Sequence, residues 1–501
     1  MGSIKALIYR PRWRVAPWVE DGRLWSSRSS LTSVVVAGAM TAATNTLQPN
    51  DKPGIVITSA EGDMRDSMRS PIYDSPLKRS LSVFAHAFSL GYGLRSAVAI
   101  CSRMFYLLKR SPKQLFSLNA VIGEQHLVMR EEAVRLGLFS GSFAGGFELL
   151  SWVFKSLRKQ DDEWNTVYAG AVAGFSLVFL NRKNRRMIAL YAFVRMCECL
   201  YRNMKNRDQV RPIRGGAALL FALSSAQIMY AYAMRPDTLA PSFFNFIQQT
   251  GPTAMPVLKA VRCAYRNAPV DYLQLRQFLL SKSLGEENID HLIESVKDGF
   301  IPCSVSHPGT SSCFNQTIKA MLQTAQKILP LYASLTISPV LFLKFGAFLR
   351  TPGHYITAML KTLLRSVLFI SSFVGLYQAT ACYYQRGVEA SLYHPHRIIF
   401  YLAGLVASLS VFIEKPTKRS ELALYTLPRG VDTLFMLLVD RRLLAGVPFG
   451  DLLLFSLSVS VIMFFRVHEP EAVPPVISRI LQFLFKQHNR DIIRSRSFYS
   501  S

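Results

Sequence analysis

Three side chains with metal-binding chemistry lie close together: Cys303, His307 and Cys313, in the pattern Cys-x3-His-Pro-x4-Cys. Thiolate sulfur and imidazole nitrogen are donors that zinc prefers. A closed zinc site takes four of them, and no second close Cys or His pair follows at finger spacing. His291 is the nearest residue of the right type. Two readings stand, a metal site in want of a ligand and an ordered turn leading into the next apolar block. The turn is favoured, so the sequence implies neither a metal nor a cofactor. His394-Pro-His396 reads as a loop on the same reasoning.

Two Arg/acid pairs offer a different chemistry. Glu198 follows Arg195 by three positions, and Asp432 follows Arg429 by three. On a helix that spacing puts cation and anion on one face. Both pairs lie in apolar stretches, where charge is costly unless paired or hydrated. They fit either a polar path through a bilayer or an interfacial helix whose charges reach lipid headgroups. Enzyme signatures are missing. There is no Walker-type phosphate loop, dinucleotide glycine fingerprint or nucleophile elbow. A membrane-embedded lipid enzyme would need Glu148, His354 or His396 to face one cavity. The chain is read as non-enzymatic.

The elements that must position these residues are apolar and long. Candidate segments run near 84–108, 136–154, 164–180, 187–201 and 215–234, and again near 325–349, 365–384, 397–413, 422–439 and 449–465. The stretch from Gly215 to Met234 carries no charge, which a soluble core helix rarely needs. The two sets of segments match at an offset of 234 residues. Arg185-Arg-Met-Ile-Ala-Leu-Tyr191-Ala-Phe-Val-Arg195 aligns with Arg419-Ser-Glu-Leu-Ala-Leu-Tyr425-Thr-Leu-Pro-Arg429. Gly141 falls on Gly375, Gly170 on Gly404, Gly216 on Gly450, Pro236 on Pro470 and Pro241 on Pro475. Such self-similarity is the mark of an internal duplication. Halves crossing an odd number of times would be inverted, and halves crossing four times would be parallel. Basic loops follow nearly every segment, so the positive-inside rule does not choose.

Small residues recur along these segments. Gly137, Gly141 and Gly145 share one helical face, matched by Ser371, Gly375 and Ala379. Gly170 and Gly174 are matched by Gly404 and Ser408. Missing side chains let two helix backbones approach closely. The seams fit ordinary helix packing or the lining of a pathway.

Composition agrees with a membrane setting. Of 501 residues, 50% are apolar and 18% charged, below the roughly 25% charged of a soluble chain. Mean hydropathy is +0.20. Lys and Arg total 58 against 32 acids, a net charge of +26. That excess suits anionic headgroups. Nucleic acid is disfavoured, because the aromatics lie on apolar segments rather than among the basic ones. Seven cysteines scattered through apolar stretches do not make a secreted disulfide framework.

Two features together resemble the transmembrane protein 135 family. One is Cys303-Ser-Val-Ser-His307-Pro-Gly-Thr-Ser-Ser-Cys313, similar to that family's Cys-rich segment. The other is the paired pattern of a glycine-rich helix, Leu157-Arg-Lys-Gln-Asp161-Asp162-Glu163, Ala169-Gly-Ala-Val-Ala-Gly174 and a basic Ala-Leu-Tyr helix. In the second block, Glu414-Lys-Pro-Thr-Lys-Arg419-Ser-Glu-Leu-Ala-Leu-Tyr425 carries it. The resemblance covers about residues 85–485. It departs from the family in one respect: the Cys/His segment opens the second block instead of lying near the N-terminus. It implies a multi-pass protein of peroxisomal and, second, mitochondrial membranes, tied to peroxisome organisation, mitochondrial fission balance and lipid handling. A distant similarity to the four-helix, glycine-zipper subunits of the mitochondrial inner-membrane import channel is implied too.

The expected architecture is an all-α, multi-pass bundle of two homologous repeats. A flexible basic arm spans 1–80, the first repeat 81–250, a polar linker with the Cys/His segment 251–315, the second repeat 316–487 and a basic tail 488–501. Expected partners are the bilayer with its anionic headgroups and either a second copy or other organelle membrane proteins. The rival function is a transporter or translocation channel for lipid, metabolite or peptide.

Overall fold

The computed structural model describes residues 75–110, 127–211, 213–282, 286–297, 301–308, 310, 312–343 and 345–485. The expected basic arm lies outside the described residues up to position 74, and the expected tail lies outside them entirely. Among the described residues every regular element is a helix and none is a strand.

The first set comprises α1 (Pro76–Arg110), α2 (Leu127–Arg158), α3 (Glu163–Gly174), α4 (Arg182–Asn206), α5 (Gly216–Met234) and α6 (Pro241–Thr250). Helix α3 tightens into a 3-10 turn at Phe175–Phe179, and a second such turn, Pro236–Thr238, follows α5. Four short helices come next: α7 (Met255–Ala264), α8 (Tyr272–Leu280), α9 (Glu286–Lys297) and α10 (Cys303–Ser306). The second set is α11 (Cys313–Leu343), α12 (Phe345–Arg350), α13 (Pro352–Glu389), α14 (Ile399–Ala407), α15 (Pro416–Asp440), α16 (Gly450–His468) and α17 (Pro475–Leu484). Here the 3-10 turns are Ser408–Ile413 and Pro470–Ala472.

The residues explain where these helices begin and end. Proline occupies the first turn of α6, α15 and α17, where its fixed φ suits the helix and its missing N–H costs nothing. Gly215, at φ 80°, turns the chain into α5. Phe449 does the same before α16 at φ 57°, a left-handed conformation that a bulky side chain adopts only under strain. Pro236 and Pro470 then stop α5 and α16. Helices α4, α5 and α6 and the turn Pro236–Thr238 have bounds 234 positions before those of α15, α16, α17 and Pro470–Ala472 at both ends.

The last long helix of each set leaves its own neighbours. Helix α5 packs on α14 and α15, whereas α16 packs on α3 and α4. One core therefore joins Val83, Phe143, Ala173, Leu177 and Ala189 to Phe455, Val459, Met463 and Phe485. Another joins Ala218 and Phe221 to Phe369, Val411 and Ala423. The flanking helices follow suit. His86 Nε2 lies 3.1 Å from the Phe483 carbonyl at the end of α17, and Thr324 donates to the Thr250 carbonyl at the end of α6.

Among the described residues, four helices are long and apolar enough to cross a membrane: α5, α13, α15 and α16. They mark the chain as an integral membrane protein. The expected segments near 84–108, 136–154 and 187–201 are all helical, yet within the first set only α5 reaches this length and apolarity. Charges such as Arg195, Glu198 and Arg202 hold α4 below it. The segment near 397–413 is a shorter apolar helix, α14 with its 3-10 turn.

The described residues between 251 and 315 carry more order than a linker needs. Val257, Leu275, Leu279, Ile289, Ile301 and Val305 share a core with Ile399 and Phe400 at the start of α14. In α9, Ile289 and Val296 are buried and Glu287 and Asp290 exposed, so the polar composition reflects one solvated face of amphipathic helices.

Candidate functional site

The thiol–imidazole segment is completed from a distant helix. Cys303 begins α10, His307 follows it directly and Cys313 begins α11. Cys382, near the end of α13, joins them. The four donor atoms all lie within 4.8 Å of one another, and Cys303, His307 and Cys382 are buried. Cys313 Sγ is 3.5 Å from His307 Nε2. The other ring nitrogen, Nδ1, lies 3.2 Å from the Thr310 carbonyl. A face of α13 receives the segment. Gln378 donates to Cys382 Sγ at 3.5 Å, Glu389 accepts from the Cys303 backbone N–H at 2.9 Å, and Gln385 donates to Ser306 Oγ at 3.4 Å. Its interaction with Cys382, with burial adding to it, pushes the Cys303 thiol above its ordinary value. The His307 imidazole is raised as well, chiefly by Cys382 and against the effect of burial. His291, the nearest candidate by sequence, is not in the cluster. Cys382 was missed because ligand spacing is local and this residue is 79 positions from Cys303.

The two Arg/acid pairs separate. Arg195 is 2% exposed and donates to Glu198 at 2.7 Å. It also donates to Glu421 of α15 at 3.2 Å and to Tyr191 Oη at 3.1 Å. It lies between helices and does not extend to a lipid headgroup. Arg429 makes no such pair among the described contacts. It donates to the Tyr425 carbonyl at 2.7 Å and sits over the rings of Tyr425 and Phe243, 4.0 Å and 4.8 Å from their centres. Asp432 is taken instead by Arg186 of α4.

Arg185 and Arg419 have one job in common. Arg185 donates to the carbonyls of Leu180 and Val178. Arg419 donates to those of Glu414 and Phe412, both at 2.8 Å. These carbonyls end the 3-10 turns after α3 and α14, where the helix supplies no N–H. Tyr191 and Tyr425 share a second job, each lying under the arginine one turn on.

The small residues lie where helices touch. A Cβ at Gly137 would stand 2.9 Å from the Phe88 ring, at Gly141 3.0 Å from the Phe84 carbonyl, and at Gly145 2.8 Å from Phe84 Cβ. Helix α1 fills this groove, and Ser80 donates to the Gly145 carbonyl at 2.8 Å. At Gly375 a Cβ would strike Met321 of α11. Ser371 and Ser408 are buried, but Ala379 is exposed, so that seam ends one turn earlier than its spacing suggests. The other seam is reciprocal. A Cβ at Gly170 would stand 2.8 Å from Ser460 Cα, and at Gly404 2.7 Å from Ala226 Cα. Both partners are displaced by 234. Gly174 meets Ser456 Cα at 2.6 Å.

The three polar residues that a lipid enzyme would need do not share one cavity. Glu148 pairs with Arg79 of α1. His354 is at the start of α13 and meets Tyr355 edge-on, whereas His396 lies beyond its other end. The 38 residues of α13 put about 57 Å between its ends. No protein-family model matches the chain, and no solved structure matches it.

Proposed function

We propose that this chain is a non-enzymatic, multi-pass organelle membrane protein made of two homologous repeats that exchange their last long helices. The reciprocal seam carries this reading. Gly170 against Ser460 and Gly404 against Ala226 are one contact written twice. A duplicated chain produces that pattern when each copy completes the other. Left-handed residues recur at the same offset, at Asp208 and Arg442 and at Gly215 and Phe449. The outer faces match too: Leu219 and Leu223 of α5, Leu453 and Leu457 of α16, and Val172, Phe175, Val406 and Leu409 are all exposed. Paired apolar patches of this kind need a lipid or protein cover.

The resemblance to the transmembrane protein 135 family supplies the setting. The proposed home is the peroxisomal membrane first and the mitochondrial membrane second. The proposed role is in peroxisome organisation, the balance of mitochondrial fission and fusion, and lipid metabolism. A tagged copy imaged against markers of both organelles should surround peroxisomes. Residence only at the plasma membrane would contradict the reading.

One observation favours a second reading, transport of a lipid, metabolite or peptide. Arg195 is buried between helices of the two sets and held by two partly buried carboxylates, and ionisable groups inside membrane bundles commonly line substrate paths. Protein reconstituted in vesicles should then move such a solute, and Glu421→Gln should slow it.

A further inference from the structure

We propose that Cys303, His307, Cys313 and Cys382 bind one zinc ion, which fastens the helices α7–α10 to the end of α13. In tetrahedral zinc sites Zn–S is about 2.3 Å and Zn–N about 2.0 Å, so neighbouring donors stand about 3.5–3.8 Å apart. Cys313 Sγ and His307 Nε2 are at that separation, 3.5 Å. The whole set, within 4.8 Å, closes on an ion by shifts of roughly 1 Å.

The surroundings fit a metal independently of proximity. The Thr310 carbonyl accepts a hydrogen bond from Nδ1–H, which leaves the Nε2 lone pair facing the three sulfurs. A carbonyl or carboxylate in this place orients most metal-bound histidines. Gln378 donates to Cys382 Sγ, a contact that stabilises a thiolate. Three thiols give up their protons to solvent as the ion binds. Three thiolates and neutral imidazole around a divalent ion leave one negative charge. Arg386, one turn beyond Cys382 on α13, supplies a cation that offsets it.

Donor chemistry selects the ion and its role. Three sulfurs and one nitrogen exclude magnesium and calcium, which take oxygen, and suit zinc. Four protein ligands leave no open position, so the ion is structural. Position supplies the route. Residues 366–385 carry no charge, and Arg386 and Glu389 follow. Cys382 therefore stands where the apolar stretch ends, within reach of aqueous zinc.

The test uses the full chain, purified in detergent with reductant, and measures bound metal by elemental mass spectrometry. The expected result is about one zinc per chain, falling by more than about tenfold in Cys303→Ser and Cys382→Ser. Cys197→Ser, at an exposed thiol on α4, should retain it. Cys382→His restores a fourth donor and should recover zinc, which separates ligand loss from misfolding. Cobalt in place of zinc should give the intense visible absorption of tetrahedral thiolate coordination. A folded, reduced chain without zinc would overturn the proposal. So would zinc unchanged in Cys382→Ser, or a disulfide among Cys303, Cys313 and Cys382 in protein taken from membranes without reductant.

Discussion

Helices α4 and α15 start from one pattern and end in two environments. Both place an arginine on the tyrosine one turn before it, and both follow it with an acid three residues later. In α4 the arginine is buried and holds two carboxylates. In α15 it rests on aromatic rings, and its acid serves Arg186 of the other helix. Spacing decides which residues share a face. What the face meets decides which of them pair. Glu421 reaches Arg195 from α15, but its counterpart in α4, Met187, has no charge to return.

That contrast can be broken most forcibly at Arg195. Arg195→Met leaves Glu198 and Glu421, 12% and 23% exposed, without their shared cation. Removing one partner of a buried pair costs upward of about 3 kcal/mol; Glu198 keeps Arg202, which holds the loss near that lower figure. Unfolding in detergent should show a loss of that order for Arg195→Met. The glycine seams test whether the halves are equivalent. Gly170→Val and Gly404→Val should each cost about 1–3 kcal/mol through overpacking, and by similar amounts. Gly146→Val, on α2 where a Cβ meets nothing within 4 Å, should cost much less. Arg185→Ala and Arg419→Ala release the same carbonyls in each half, with a loss of about 1 kcal/mol apiece. Arg429→Ala loses ring contacts worth about 0.5–2 kcal/mol. Its effect should fall well below that of Arg195→Met in the same assay. Equal losses at Arg195 and Arg429 would show that the two helices do not differ as described.

Much of the scaffold was legible because it depends on local pattern. Apolar length gave the helices, and the 234-residue offset anticipated the matching bounds of α4–α6 and α15–α17. The glycine face of α2 met α1 as its spacing suggests. What escaped depends on the path of the chain in space. No local rule brings Cys382 to Cys303, or Glu421 to Arg195. Ala379 kept its helical spacing but lies on an exposed part of α13, although α11 reaches beyond it to Cys382. The order in 251–315 was hidden by composition. Short amphipathic helices show a polar average while burying a continuous apolar side.

The central claim is reciprocal helix exchange inside a membrane. Arg207 at the end of α4 pairs with Glu469 after α16, and Asp440 at the end of α15 pairs with Arg235 after α5. These are nearly the same contact with its charges reversed. A chain carrying Arg207→Lys and Arg235→Lys, retained in membranes through an alkaline wash, can be treated with a carbodiimide to join amine to carboxylate without a spacer. Mass spectrometry should find both bridges, from position 207 to Glu469 and from position 235 to Asp440. Release of the chain by the wash, or a membrane-bound chain with one bridge or none, would contradict the account.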